Sequence, residues 1–275
     1  LKPPGMTSHD VVDCIRRALP RGTRAGHLGT LDPAAAGVLP LAVGEATRWT
    51  QYLPPARKGY RAELTFGLES DTLDLEGQVT VVEADPPRRD LPLDEFTGRQ
   101  VQVPPAASAI RVEGQRSYRR ARRGEAVEPP PREVDIYRLE VVGEQWPRVW
   151  LDVECGPGTY VRSLARDVGR RLGCGALLSF LIRTASGPFR LEQSWTLEEL
   201  LDDPGGKLLP LEAALGDLPA VSARPGLHPG QRADAPGLPP GQAVRLCDPS
   251  GALVGIGRVR EGDPPAAVLE RVLCR

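Results

Sequence analysis

"REVDIYRLEVVGEQWPRVWLDVECGPGTYVRSLARDVGRRLGCG", Arg132 to Gly175, changes its hydrophobic period once, and that change decides the fold. "REVDIYRLEVVG" and "RVWLDVECG" read as consecutive strands rich in β-branched and aromatic residues. A glycine-rich lead then opens a helix with Thr159 as its cap and Val161, Leu164, Ala165, Val168 and Leu172 on one stripe, ending at Gly173. This reading puts Arg162 in the first helical turn, where a cation opposes the helix dipole and suits an anionic partner. An exposed arginine at negligible cost is the competing account.

Working outward, strands outnumber helices. "YRAELTFGLESDTLDLEGQVT" from Tyr60 gives a strand, a turn-rich stretch and a return. Strands that mostly follow one another predict an α+β domain with a mixed, largely antiparallel central sheet. "TSHDVVDCIRRALPRG" opens with Thr7 and Asp10 at capping-box spacing, carries Val11, Ile15 and Leu19 on one stripe, and stops at Pro20 and Gly22. "WTLEELLDD" is a short helix. Val221 to Gly241 is rich in Pro and Gly, and "AVRLCDPSGALVGIGRV" then gives two strands about a "DPSG" turn, so a small β domain is expected to occupy 218–275, after a main domain of 1–217.

The 275 residues are 40% hydrophobic and 26% charged, with 30 Gly and 29 Pro, values of a loop-rich globular protein. The five cysteines, Cys14, Cys155, Cys174, Cys247 and Cys274, contain no C-x-x-C pair, which predicts reduced thiols in a cytosolic protein, without zinc or disulfides. His9, His27 and His228 lack metal-ligand spacing. No apolar run approaches the ~18 residues of a membrane span. "LKPPGMTSHD" is no signal peptide, and an opening Leu leaves room for residues ahead of it.

Two stretches carry chemistry. In "GHLGTLDPAAAGVLP", residues 26–40, Asp32 stands at the mouth of a small-residue apolar run. Asp-Pro is a turn signal, but an acid placed there loses hydration unless a partner pairs it. In "RVEGQRSYRRARRG", six arginines, Arg111, Arg116, Arg119, Arg120, Arg122 and Arg123, meet one glutamate, although the formal net charge of the whole chain is only −1. Such a run either grips phosphates or forms a solvated, ion-paired face.

In order along residues 1–190, "KPPGMTSHDVV", "GHLGTLDPAAAGVLPLAVGEATR", "KGYRAELTFGLESDTLDLEG", "QVPPAASAIRVEGQRSYRRARRG", "CGPGTYVRSLARDVGRRLG" and "LIRTASGPF" resemble the TruB-type tRNA pseudouridine synthases. "HPGQRADAPG" and "GALVGIGRV" resemble that family's PUA-like tail. Leu1, Ala36 and Ser70 depart from its usual Asp, Thr and Thr.

The resemblance implies isomerisation of uridine 55 in the tRNA T-loop, with Asp32 as nucleophile on C1′ or C6, Arg162 keeping it ionised and oriented, and Tyr60 stacking on the base and taking a sugar proton. Tyr160 and Leu181 would line the pocket, and His27 would fill the space that the extruded base leaves. No cofactor or metal is implied. Residues 104–132 would be an RNA-gripping insertion, with the tail on the acceptor stem of a tRNA held by a cytoplasmic monomer. Three rivals are weighed against this. A nucleoside glycosidase would use two carboxylates, and no second acid is read in the matching motifs. A non-catalytic tRNA-binding or folding factor need not keep Asp32, and a dyskerin-type guide-dependent relative would carry long basic extensions.

Overall fold

The computed structural model describes residues 1–106, 111–112, 115–116, 129–224, 226, 228–262 and 265–272, with backbone alone at 111–112 and 115–116. Helix α1 (Ser8–Ala18) begins at a complete capping box: Asp10 N–H donates to Thr7 Oγ1 at 3.1 Å and Thr7 N–H to Asp10 Oδ2 at 2.8 Å. Val11 and Ile15 of the expected stripe are buried, with Val12 beside them, and Leu19 is the half-buried cap residue just past the helix end. Strands β1 (Ala25–His27) and β3 (Leu41–Val43) pair antiparallel, and between them β2 (Ala36–Gly37) joins the main sheet.

That sheet has seven strands. Beside β2 they are β4 (Lys58–Phe66), β7 (Gly98–Gln102), β10 (Arg132–Gln145), β11 (Arg148–Cys155), β12 (Ala176–Ser186) and β13 (Phe189–Arg190), in the order β13-β12-β4-β11-β10-β7, with β2 also on β12. The β2–β12 pairing is parallel and all others are antiparallel, so the sheet is mixed in the expected sense. The turn-rich stretch after β4 forms a hairpin of β5 (Leu68–Ser70) and β6 (Val79–Val81). A further short hairpin, β8 (Arg111–Val112) with β9 (Gln115–Arg116), lies in the arginine-rich segment.

One sheet face carries Tyr60, Ala62, Leu64 and Phe66 of β4 and Leu151, Val153 and Cys155 of β11, at the strand period of two. Helix α2 (Val161–Leu172) covers them with Val161, Leu164, Ala165, Val168 and Leu172. Each fully buried valine or leucine there contributes roughly 1.5–3 kcal/mol. Gly173 ends α2 in the left-handed region, φ 77°, as its sequence position predicts.

The helix starts differently from the sequence reading. Tyr160, not Thr159, is the cap residue, and the Thr159 hydroxyl donates to the Gly156 carbonyl at 3.1 Å instead. Gln102 takes over the anchoring of Tyr160: Tyr160 N–H donates to Gln102 Oε1 at 2.8 Å, and Gln102 Nε2 donates to Tyr160 O at 3.0 Å.

Helices α3 (Leu197–Asp202) and α4 (Glu212–Leu215) lead to a second sheet. It consists of β14 (Ala220–Ser222), β15 (Arg232–Asp234), β16 (Ala243–Cys247), β17 (Leu253–Arg260) and β18 (Ala266–Val272), in the order β14-β16-β17-β18-β15. The "DPSG" turn between β16 and β17 is fastened by Asp248 Oδ1, which accepts from the N–H groups of Ser250 and Ala252. Trp49, Leu215, Leu218, Leu253 and Ile256 share one buried cluster, which packs this sheet against the rest of the chain.

Candidate active site

Asp32 stands where two accounts of its sequence meet. Ala35 N–H donates to Asp32 O at 3.1 Å, so the Asp-Pro turn exists. The side chain also has its cation, because Arg162 Nη2 lies 2.8 Å from Asp32 Oδ2. The two partners differ in access: the Arg162 side chain is 5% exposed and that of Asp32 36%. A buried guanidinium thus holds a carboxylate that still opens to the outside. This is a fixed anion ready to meet a substrate.

Arg162 also serves a second acid that the sequence reading did not find. Arg162 Nη1 is 3.4 Å from Asp74 Oδ2 and donates to the Thr72 carbonyl at 2.8 Å. Asp74 lies in "SDTLDLEG", so the expectation of no second acid in the matching motifs is corrected. Its side chain is only 9% exposed, and its Oδ1 accepts from Thr72 Oγ1 at 2.5 Å and from Glu76 N–H at 3.0 Å. Leu73, between them, holds φ 64°, a left-handed conformation that a leucine rarely adopts. Asp74 and Thr72 therefore lock Arg162 in place, leaving Asp32 as the accessible carboxylate.

The Asp32 loop is fastened from several sides. Leu31 N–H donates to Ser8 Oγ at 2.8 Å, and Lys2 Nζ donates to the carbonyls of Pro33 (2.9 Å), Pro3 (2.9 Å) and Met6 (2.6 Å). Burial pushes the Lys2 ammonium down to about 8, against the pull of Asp32. Arg183 of β12, fully buried, donates through Nε to Val38 O (2.7 Å), Nη1 to Thr30 O (3.2 Å) and Nη2 to Gly29 O (3.1 Å). Gly37 makes this approach possible: at φ 108°, any Cβ would stand 2.2 Å from the Arg183 carbonyl oxygen.

Tyr60 and Arg183 are register partners on β4 and β12. Burial drives the Tyr60 phenol up to about 12, and the nearby Arg183 guanidinium works against that rise. At neutral pH the hydroxyl keeps its proton. Leu181, two residues before Arg183, is half-buried against the same core cluster as Tyr60. Tyr160 stands directly before the α2 turn that carries Arg162, with the Arg132 guanidinium 4.7 Å from its ring centroid.

His27 ends β1 opposite Leu41, and burial first, then His9 and Arg183, lower its pKa. Its Nδ1 is buried and makes no hydrogen bond. Of the arginine run, Arg111 and Arg116 are backbone register partners in the β8–β9 hairpin, and Arg119, Arg120, Arg122 and Arg123 lie outside the described residues. An apolar cavity of about 600 Å³ lined by Leu19, Leu41, Trp49 and Trp195 includes none of the ionic cluster.

The model of the TruB family pseudouridylate synthase N-terminal domain matches residues 16–161, and that of the tRNA pseudouridylate synthase B C-terminal domain matches residues 162–215. A curated relative, tRNA pseudouridine synthase B of Symbiobacterium thermophilum, is 53% identical over 81% of this chain and 76% of its own. Its namesake from Moorella thermoacetica is 44% identical over 94% and 92%. Among solved structures, an H/ACA RNP bound to a substrate RNA containing 2′-deoxyuridine aligns with TM-score 0.73 and 28% identity, covering all of this chain and 83% of the other. A Cbf5-Nop10-Gar1 complex aligns with TM-score 0.72 and 29% identity, over 98% and 82%. These matches take in the Asp32 loop, the Tyr60 strand and the Arg162 helix together, and on them the chain belongs to the TruB family of pseudouridylate synthases.

Proposed function

We propose that this chain isomerises uridine 55 in the T-loop of tRNA to pseudouridine, with Asp32 as nucleophile. The observation that carries the reading is the accessible Asp32 carboxylate held by a buried Arg162 beside Tyr60. The reaction breaks the C1′–N1 bond, turns the uracil and joins C5 to C1′. N1 ends with a proton and C5 loses one, so nothing is oxidised and no water is consumed.

Asp32 supplies the electron pair, at C1′ of the sugar or C6 of the base, and Arg162 keeps that carboxylate aimed. Tyr60 stacks on the uracil. For its hydroxyl to take a sugar proton it must first surrender its own, and Arg183 is placed to stabilise the resulting charge. Extrusion of the uridine costs roughly a few kcal/mol of unstacking, and neutral His27 fills the vacated space. Tyr160 and Leu181 wall the pocket.

We further assign residues 218–275 as a PUA-like module on the acceptor stem, and the insertion at 104–132, with its arginines, as a grip on the T-stem. The enzyme would act as a cytoplasmic monomer. A glycosidase is not favoured, because Asp74 sits shut behind Arg162 and cannot flank a scissile bond. The test incubates purified protein with unmodified tRNA transcript, maps pseudouridine and measures free uracil. Pseudouridine at position 55 without uracil supports the proposal, and release of uracil, or no conversion, overturns it.

A further inference from the structure

Lys58 and Arg132 are two cations of the site wall that its ion pairs leave over. Lys58 opens β4, two residues before Tyr60 and on the same sheet face. A Cβ placed on Gly29 would stand 3.5 Å from Lys58 Nζ and 3.8 Å from Arg183 Nη1, so the ammonium rests against the loop that carries Asp32. Burial lowers the Lys58 pKa, and the charges of Arg183 and Arg132 act in the same direction. Only the Cys155 thiol opposes them, and burial pushes that thiol up to about 11, leaving it neutral.

Arg132 donates through Nη2 to the Gly158 carbonyl and lies over the Tyr160 ring, while its Nε is buried without a hydrogen bond. Several other arginines meet carboxylates: Arg61 with Asp152, Arg88 with Glu144, Arg171 with Glu95 and Arg162 with Asp32. Among the described residues no carboxylate pairs with Lys58, Arg132 or Arg183. Like charges gathered on a partly desolvated wall repel one another unless an anion completes the set.

We propose that Lys58 and Arg132 form a phosphate subsite for the RNA phosphodiester beside the extruded uridine, with Arg183 adding charge from behind. The assignment rests on the chain acting on a uridine within RNA. An ammonium suits a phosphate as a point charge, and a guanidinium as a planar donor. The subsite binds rather than reacts: it fixes the sugar–phosphate backbone so that C1′ comes to Asp32.

The test uses a T-stem-loop RNA, either all-phosphodiester or with one neutral methylphosphonate linkage 5′ or 3′ to the target uridine. Conversion of the unmodified RNA by wild-type protein checks the underlying reading independently. Affinity is measured across a salt series for wild type, Lys58→Met, Lys58→Arg and Arg132→Gln, with thermal melting to verify folding. Lys58→Met is expected to weaken binding roughly tenfold and to flatten the slope of log K against log salt by about 0.7. Lys58→Arg should retain that slope. One methylphosphonate position should weaken wild type as much as Lys58→Met does and weaken Lys58→Met no further. Unchanged affinity and slope in folded Lys58→Met, or losses that add at both linkages, would overturn the subsite.

Discussion

Two arginine–aspartate pairs in this molecule have the same contact distance and different uses. Arg61 of β4 reaches across to Asp152 of β11 with two parallel hydrogen bonds, Nε to Oδ1 and Nη2 to Oδ2, both 2.8 Å. Arg162 meets Asp32 at 2.8 Å, Nη2 to Oδ2, and its Nη1 serves Asp74 and Thr72. The Arg61 pair is exposed, with the Arg61 side chain 51% accessible, so water and salt supply most of what the partner gives. Arg162 has no such substitute. Distance therefore does not mark the site; a buried cation holding an accessible anion does.

The comparison can be broken from its strong end. Arg162→Lys replaces a planar fork by a point charge that cannot serve Asp32, Asp74 and Thr72 together. Single-turnover isomerisation should fall on the order of 10²–10³-fold, with tRNA affinity within a few-fold, and a change under threefold would mean that Arg162 is only structural. Tyr60 offers a pH test. Its folded pKa, about 12, lies above the ordinary phenol value of 10.0, so its contribution is complete below pH 10 and is lost as pH rises through 12. Relative to Tyr60→Phe, wild type should lose roughly 2–3 kcal/mol over that window, read from urea midpoints at a series of pH values; parallel curves would show that the phenol is not desolvated.

Asp74→Asn keeps the shape and removes the second charge on Arg162. We expect about a tenfold slower chemical step with affinity unchanged, as befits a residue that positions Arg162, which in turn holds Asp32. Equal losses in rate and affinity would mark a folding defect instead. At the weak end, Arg61→Gln should cost about 0.2–1 kcal/mol, shrinking with salt, and leave turnover untouched. Lost turnover there would abolish the distinction between the two pairs.

What could be read from the sequence was what is local. The Thr7–Asp10 cap, the β10–β11 strand pair, the α2 stripe and the "DPSG" turn each depend on residues within a few positions of one another. Asp32 and Arg162 were legible through family motifs, although 130 positions separate them. Asp74 was hidden in a turn-rich stretch where an acid looks solvated, and only Arg162, 88 positions on, makes it a buried partner. Arg183 did carry a signal, a charge in the apolar strand "LIRTAS", but its acceptors are carbonyls near residue 30 that no side-chain pattern announces. Thr159 failed as a cap because Gln102, from β7, holds the Tyr160 backbone.

The most direct test acts on the carboxylate itself. Asp32→Asn is close to isosteric, keeps an oxygen for Arg162 to meet, and lacks the negative charge that makes a carboxylate oxygen nucleophilic. With enzyme in excess over unmodified tRNA transcript, wild type should convert uridine 55 in a single exponential, while Asp32→Asn forms no pseudouridine and binds the transcript within a few-fold of wild type. Appreciable pseudouridine from a pure, sequence-verified Asp32→Asn sample would contradict the account.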